Sequence, residues 1–155
     1  MAFADLIARM TSAAVAGDGA GVAACFTPDG VYHDVFYGAF KGPDIADLIE
    51  NYFHRDGKNF RWDLHDPIDD GAVGYVRYVF SYDSKLDDFA GRRAIFEGVA
   101  VCRLNGGLID SYTEVANAAT GLSDLGFSPQ RLAKFVAKQS AELSQRPEAA
   151  GHIRR

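Results

Sequence analysis

Asp34 stands among aromatic side chains, where a carboxyl group could transfer protons. It lies in a predicted strand from Val31 to Phe36, two residues after Tyr32. Burial among aromatic rings raises the pKa of a carboxyl group and suits it to acid/base chemistry. Side chains alternate along a strand, so Tyr32 and Phe36 share the face of Asp34 and His33 takes the opposite face. The same carboxylate could instead cap the following turn or face solvent.

Glu114 and Arg77 form a second candidate set, on two later strands. Alternation places Tyr112 on the face of Glu114 and Tyr75 on the face of Arg77, which predicts a polar patch on one wall of a pocket. An ordinary ion pair between neighbouring strands is the alternative. Glu97 could also be the acid that Arg77 meets, or it could lie on the outer side of the sheet.

Other side chains suggest a pocket wall, and none suggests a cofactor. Trp62 alternates with polar residues and fits either the core or a ligand site. His54 and His65 lack metal-ligand spacing, and Cys25 and Cys102 form no CxxC pair. A glycine-rich phosphate loop is also missing from the sequence. We therefore expect neither a metal ion nor a cofactor.

Composition excludes some classes of partner. The chain has 155 residues, a formal net charge of −5, and no run of more than two consecutive Lys or Arg residues. Nucleic-acid binding needs concentrated positive charge, so it is disfavoured. No apolar run approaches the roughly 18 residues of a membrane span, and the first residues show helical periodicity rather than a signal peptide. We expect a cytoplasmic protein that does not bind membranes.

Periodicity predicts three helical segments before a set of strands. The first helix covers residues 3–16, and a shorter one covers residues 21–26 before a turn at Thr27–Gly30. Pro43 opens a third helix, whose apolar stripe runs from Ile45 to Phe53. After residue 57 the period changes to two, which indicates strands.

Four longer strands and a closing helix complete the predicted order. The strands cover residues 60–65, 73–82, 93–104 and 108–116, and Asn105-Gly106-Gly107 joins the last two as a hairpin. The third of them is apolar on both faces apart from Glu97, so we expect it to be central and covered on both sides. Ser128-Pro129 begins a helix over residues 129–144, and the chain after Gln145 should be frayed. This order predicts an α+β fold, a cone-shaped curved antiparallel sheet wrapped around N-terminal helices.

The order and spacing resemble the ketosteroid isomerase and SnoaL-like branch of the nuclear transport factor 2-like superfamily, whose fold is called cystatin-like. One run that carries the resemblance is GDGAGVAACFTPDGVYHDVFYGAFKGPDIADLIENYF; the other is GRRAIFEGVAVCRLNGGLIDSYTEVAN. The resemblance covers roughly residues 3–117. It implies that residues 1–127 form the SnoaL-like domain and that residues 128–155 are its helical extension.

The resemblance also implies roles for residues. Asp34 falls where ketosteroid isomerase-like enzymes keep their general base. Met10 and Ala100 fall at the positions of the two oxyanion-hole donors, and neither can donate a hydrogen bond, which argues against a steroid-type isomerase. In limonene-epoxide hydrolases an Arg-x-Asp pair works with a last-strand acid; here Arg77 and Glu114 fit, but Val79 replaces the Asp.

These implications lead to two readings of function. In the first, the protein binds a small hydrophobic or carbonyl compound, as a homodimer, and acts as a cofactor-independent isomerase, cyclase or dehydratase. Its catalytic residues would be Asp34, Arg77 and Glu114, and its substrate-binding residues Met10, Tyr32, Phe36, Trp62, Tyr75, Ala100 and Tyr112. In the second, it is a non-catalytic ligand-binding or dimerisation module. Epoxide hydrolysis ranks below both.

Overall fold

Two helices open the chain and supply much of the core. The computed structural model describes residues 1–154. Helix α1 (Phe3–Ala16) buries the predicted apolar stripe, including Leu6, Ile7 and Met10. It ends at Gly17, whose φ of 76° lies in the left-handed region that glycine adopts without strain. Helix α2 (Gly19–Ala23) follows, with Asp18 as its cap.

A six-stranded sheet forms the rest of the scaffold. Its strands are β1 (Phe26–Asp34), β2 (Gly38–Lys41), β3 (Gly57–Asp69), β4 (Val73–Ser84), β5 (Arg93–Asn105) and β6 (Leu108–Ala116). Their order across the curved sheet is β2-β1-β6-β5-β4-β3, and β3 to β6 are joined by successive hairpins as predicted. The predicted antiparallel pairing holds for every neighbouring pair except β1 and β6, which run parallel. The α+β cone fold predicted from the sequence is confirmed.

The third predicted helix is a composite. It contains α3 (Asp44–Asp47), a π-helical segment (Leu48–Phe53) and α4 (His54–Asp56). Its buried side chains are Ile45, Leu48 and Ile49, as the stripe predicted. A π-helical turn holds more residues than an α-helical one, so the residues after it are rotated from their expected direction. These helices pack on one side of the sheet, here called the inner face.

The structure differs from the prediction around β1. The strand begins at Phe26 rather than Val31, and its pairing with β6 is interrupted between these residues, where a turn was predicted. Phe36 lies in a turn after the strand rather than in it. The short strand β2, which pairs with β1, was not predicted. Its four residues are too few for a recognisable period.

Strand β5 is central, between β4 and β6, but it is covered on one side only. Its inner side chains, such as Phe96 and Ala100, are buried. On the opposite, outer face of the sheet, Ile95 is 52% exposed and Val99 is 36% exposed. The prediction that both faces of this strand are covered is therefore wrong for the single chain.

The C-terminal region adds two helices after β6. They are α5 (Ala118–Asp124) and α6 (Pro129–Gln145), and the Ser128 hydroxyl caps α6 as predicted. No residue of α6 is fully buried, but the Phe135 ring lies 5.6 Å from the Phe36 ring. The chain after Gln145 is not simply frayed, because Pro147–His152 forms a 3-10 helix with Ala149 buried. The proposed boundary at residue 127 stays a prediction.

Candidate functional site

A pocket lies between the inner face of the sheet and the composite helix. It has a volume of about 460 Å³, counted with its opening to solvent. Fifteen residues line it, and ten of them are aromatic: Tyr32, Phe36, Tyr37, Phe53, Phe60, Trp62, Tyr78, Phe80, Tyr82 and Phe96. The remaining five are Asp34, Val35, Asp56, Gly57 and Glu114. An apolar pocket with a few convergent polar groups is the usual form of a small-molecule site.

Asp34 ends β1 and faces this pocket. Its Oδ1 atom accepts hydrogen bonds from the backbone N–H groups of Phe36 (2.8 Å) and Tyr37 (3.0 Å). The carboxylate therefore caps the following turn, as one alternative predicted, and it also lies in the pocket rather than in solvent. His33 is exposed on the other face, as predicted.

Burial raises the pKa of Asp34. The side chain is 9% exposed, and removal from water disfavours its charged form. The two backbone hydrogen bonds favour the charged form and limit the shift, so the pKa is about 6. At pH 7 Asp34 is mainly ionised and can accept a proton.

Glu114 supplies a second carboxyl group from β6. It pairs with Ala100 of β5, and Tyr112, two residues earlier, shares its face. The Tyr112 hydroxyl donates a 2.6 Å hydrogen bond to Oε1 of Glu114. Burial and the negative charge of Asp34 raise the pKa of Glu114 to about 8, although the bond from Tyr112 acts in the opposite direction. At pH 7 Glu114 is mainly protonated and can donate a proton.

The environments of these two acids thus separate their protonation states. Two carboxyl groups that repel each other do not both ionise readily. Asp34 keeps the negative charge because backbone N–H groups hold it, while Glu114 keeps the proton. Such a separation marks one group as a base and the other as an acid.

Three buried polar atoms at the pocket have no hydrogen-bond partner within residues 1–154. They are the hydroxyls of Tyr32 and Tyr78 and the indole N–H of Trp62. The Tyr78 hydroxyl nevertheless lies near Glu114 and opposes the rise in the pKa of that carboxyl group, so the Trp62 N–H is the clearest free donor. Buried polar groups are nearly always paired, so unpaired ones in a pocket point to polar atoms of a ligand. Gly98 lies opposite Tyr78 in the sheet, and a Cβ atom there would come within 2.7 Å of the Tyr78 hydroxyl. Gly98 therefore makes room for this group.

In addition to Glu114, four predicted site residues line the pocket: Asp34, Tyr32, Phe36 and Trp62. Tyr112 does not line the pocket, but its hydroxyl donates a hydrogen bond to Glu114, which does. Met10 and Ala100 are fully buried in the core and do not line the pocket. Their predicted contact with substrate is therefore not supported by their position.

Arg77 and Tyr75 lie on the outer face, away from the pocket. Arg77 pairs in register with Val99, and Val99 pairs with Val115, so Arg77 shares a face with Val115 rather than with Glu114. Tyr75 is 47% exposed, and Arg77 forms an exposed ion pair with Asp66. The predicted polar patch of Tyr75, Arg77 and Glu114 is wrong. Glu97 also lies on the outer face, so Glu114 is the acid in the pocket.

Sequence reasoning missed Asp56 and Tyr37. The Tyr37 hydroxyl donates a 2.7 Å hydrogen bond to Oδ2 of Asp56, and Arg55 forms an ion pair with the same carboxylate. These hydrogen bonds and the charge of Arg55 lower the pKa of Asp56. Tyr37 follows Asp34 by three residues, a spacing that could have indicated the turn. Phe53 was predicted on a core stripe; it is the last residue of the π-helical segment, where it packs against the core and also lines the pocket.

Metal ligands are not grouped in the described part of the chain. Residues 1–154 contain no cluster of three or more His, Cys, Asp or Glu side chains placed to hold a metal ion. In the same residues, no helix is both long and apolar enough to cross a membrane.

Comparison with known proteins assigns the family. The profile of the SnoaL-like domain matches residues 7–112. The chain belongs to the SnoaL-like family. Among curated proteins, no sequence matches this SnoaL-like protein.

Solved structures share the fold of this SnoaL-like protein at low identity. A Catenulispora acidiphila protein with a ketosteroid isomerase-like fold, solved in complex with trimethylamine, has a TM-score of 0.70 at 16% identity, covering 79% of this chain and 93% of its own. The candidate polyketide cyclase IdmH from Streptomyces antibioticus has a TM-score of 0.65 at 18% identity, covering 80% and 98%. An LEH-like epoxide hydrolase from M. tuberculosis has a TM-score of 0.63 at 17% identity, covering 87% and 94%. Since this fold hosts several chemistries, function must be argued from the pocket.

Proposed function

We propose that this SnoaL-like protein is a cofactor-independent acid/base enzyme acting on a small hydrophobic carbonyl compound. The observation that carries the proposal is the placement of Asp34 and Glu114 in one aromatic pocket with separated pKa values. Reactions of this type include isomerisation, cyclisation and dehydration. Each begins with removal of a proton from the carbon next to a carbonyl group.

Asp34 would be the base in this reaction. Its Oδ1 atom is occupied by the turn, which leaves Oδ2 to remove the proton from carbon. A pKa of about 6 lets the carboxylate stay ionised near neutral pH and yet be more basic than an ordinary Asp. Because the turn fixes the carboxylate, it would not have to reorganise during proton transfer.

Glu114 would stabilise the charge that develops on the carbonyl oxygen. A protonated carboxyl group in an apolar site can donate a hydrogen bond to an enolate oxygen. The donors missing at Met10 and Ala100 would thus be replaced from the neighbouring strand, since Glu114 lies beside Ala100. The unpaired donors of Tyr78 and Trp62 could bind the same oxygen or another on the substrate.

The position of Arg77 argues against epoxide hydrolysis of the limonene type. That chemistry needs the Arg-x-Asp pair and the last-strand acid around one water molecule. Here Arg77 and Val79 lie on the face of the sheet opposite to Glu114. A non-catalytic binding module remains the second candidate, favoured by the lack of donors at Met10 and Ala100.

Exchange of carbon-bound protons tests the proposal without knowledge of the natural substrate. A panel of cyclic ketones in D₂O is followed by proton NMR for loss of the signals next to the carbonyl group. We expect acceleration by the wild-type protein and at least a ~100-fold smaller rate with Asp34→Asn, since general bases contribute about 10²–10⁴-fold. Glu142→Gln, an exposed change on α6, is the control and should leave the rate unchanged. Equal rates for Asp34→Asn and wild type would remove Asp34 from the mechanism and favour the binding module.

We further propose a homodimer formed through the outer face of the sheet. Support comes from exposed apolar side chains there, among them Ile68, Tyr75, Ile95, Val99 and Val115. Contiguous exposed apolar surface commonly marks a protein interface. The cytoplasmic location expected from the sequence stays a prediction, which fractionation of cells would test.

A further inference from the structure

The charge of the pocket is unbalanced. Its lining includes three carboxyl groups, from Asp34, Asp56 and Glu114, and no Lys, Arg or His. Asp56 is already paired with Arg55, whose Nε and Asp56 Oδ1 lie 2.6 Å apart. The other two acids have no cationic partner among the described residues. The pocket therefore holds negative charge without a counter-charge from the protein.

This imbalance costs the folded protein free energy. A carboxylate removed from water loses its hydration, and only hydrogen bonds or an opposite charge restore it. Asp34 has two hydrogen bonds from neutral backbone groups, and both go to Oδ1. Its Oδ2 atom takes part in no hydrogen bond within residues 1–154. A positive group of a ligand, held by the aromatic rings beside the carboxylate, would balance this charge and leave Oδ2 free to accept the proton.

The walls of the pocket suit a positive ligand as well. Ten of the fifteen lining side chains are aromatic, and the faces of aromatic rings attract cations. Phe36 and Tyr37 lie two and three residues after Asp34 in the turn, and their ring centroids are 6.3 Å apart, so rings and carboxylate lie together. Trp62, which has the most strongly attracting ring, lines the same pocket.

We propose that the ligand of this pocket is a compact organic cation, a protonated tertiary amine or a quaternary ammonium compound, bound by Asp34 and the aromatic walls. The pocket is open to solvent on one side, so a ligand could place its ammonium group beside Asp34 and the rest of the molecule toward the opening. This inference rests on the proposed function and deepens it, because it gives the carbonyl substrate an ammonium group. The unpaired donors of Trp62 and Tyr78 would bind the oxygen of the same molecule.

Other ligand classes fit less well. An anionic compound would meet the charge of Asp34 and no basic side chain among the lining residues. A neutral compound of the same shape would gain the apolar contacts but no interaction with the carboxylate. Among ligands of one shape, the pocket should therefore bind the cation more tightly than the anion or the neutral compound, because only the cation is attracted by Asp34.

Binding of a cation must depend on pH. Several titratable groups face Asp34 from the elements around it: Tyr32, Tyr37, Asp56, Tyr78, Tyr82 and Glu114. Burial raises the pKa of each of the four tyrosines, so they stay neutral, and Asp56 stays ionised. Asp34 gains its charge as the pH rises through about 6, and Glu114 gains its charge near 8. Between pH 5 and 7 the ionised fraction of Asp34 rises about tenfold, and cation affinity should rise with it.

Calorimetry with matched ligands tests the inference on the full chain. Choline and 3,3-dimethylbutan-1-ol share one shape and differ in charge, and 3,3-dimethylbutanoate adds the opposite charge. At pH 7.5 we expect choline to bind about tenfold more tightly than the alcohol, and the acid to bind most weakly. In a Glu114→Gln background, where residue 114 cannot become charged, Asp34→Asn should reduce the preference for choline to about twofold or less. Glu142→Gln, an exposed change on α6, should keep the preference. With wild-type protein, choline should bind about tenfold more weakly at pH 5 than at pH 7 while the alcohol changes little, a result that needs no variant.

Three results would overturn the inference: no measurable binding of choline, equal binding of choline and the alcohol, or a preference that survives Asp34→Asn in the Glu114→Gln background. The ketone exchange assay separates this failure from that of the proposed function. Neutral ketones exchanged by wild type but not by Asp34→Asn would uphold the acid/base role while choline fails. Choline preference without ketone exchange would uphold the cation site in a binding module.

Discussion

Replacement of Glu114 by Gln should abolish a large pH dependence of stability. Gln has the same shape and can still accept the hydrogen bond from Tyr112, so the change removes the titration and leaves the packing. The pKa of Glu114 is raised from 4.5 to about 8 in the folded protein. A raised pKa means that the stabilising effect of the proton is complete below pH 4.5 and is lost as the pH rises through 8. The free energy of unfolding of the wild type should therefore fall with rising pH, and Glu114→Gln should lack the part of this fall that Glu114 causes.

The size of the effect follows from the shift. Each pKa unit corresponds to 1.36 kcal/mol, so a shift of this size amounts to roughly 4–5 kcal/mol. Water enters the pocket through its opening, and we discount the value to about 2–4 kcal/mol between pH 5 and 8.5. For a chain of this length that is a difference of about 5–15 °C in Tm. The difference between the two proteins isolates Glu114, because most other titrating groups are common to both.

Urea unfolding at several pH values measures this difference. The free energy of unfolding is determined at pH 5, 7 and 8.5 for wild type, Glu114→Gln and the surface control Glu142→Gln. We expect the stability of Glu114→Gln relative to wild type to increase by about 2–4 kcal/mol over this range, and the stability of Glu142→Gln to run parallel to that of wild type. If wild type and Glu114→Gln kept a constant difference, Glu114 would titrate normally and could not be the acid of the pair.

Two further predictions concern the C-terminal helix and the outer face of the sheet. Phe135→Ala removes the ring that packs on Phe36, so we expect the free energy of unfolding to fall by about 1–2 kcal/mol. The opened pocket should also bind an apolar dye with stronger fluorescence. Val136→Ala, a control at a half-exposed position on the same helix, should change both quantities little. Unchanged dye binding in Phe135→Ala would mean that α6 does not cover the pocket. Val115→Lys places a charge on the apolar outer face and should convert a dimer to a monomer by light scattering, with Val136→Lys as the control. A monomeric wild type would refute the proposed dimer.

Local patterns in the sequence were sufficient to predict Asp34 and Glu114 as site residues and to identify their neighbours on the same strand. Alternation within one strand placed Tyr32 beside Asp34 and Tyr112 beside Glu114, because these neighbours depend on the strand alone. The prediction that Arg77 shares a face with Glu114 was wrong, because their relative positions depend on the register of two strand pairs. A shift of one residue moves a side chain to the opposite face, and the sequence does not specify register between strands this far apart.

Departures from regular secondary structure account for the other missed residues. The stripe that ends at Phe53 was predicted with the period of an α-helix. The π-helical segment changes this period, and Phe53 lines the pocket. Tyr37 and Asp56 are joined by a hydrogen bond across 19 residues, which no local pattern contains. The fold was easier to predict than the site, because periodicity and turn residues specify elements, whereas a pocket depends on how the elements pack.

The protonation of Asp34 and Glu114 is the centre of the account, and NMR measures it directly. Side-chain carboxyl carbons are followed in ¹³C-labelled protein from pH 3 to 9, and Asp34→Asn and Glu114→Gln assign the two signals. The account predicts midpoints near 6 for Asp34 and near 8 for Glu114, with the Glu114 midpoint moving down in Asp34→Asn because a negative charge is removed. Midpoints near 4 for both groups would contradict it, since two ordinary surface-like carboxylates could not divide the roles of base and acid.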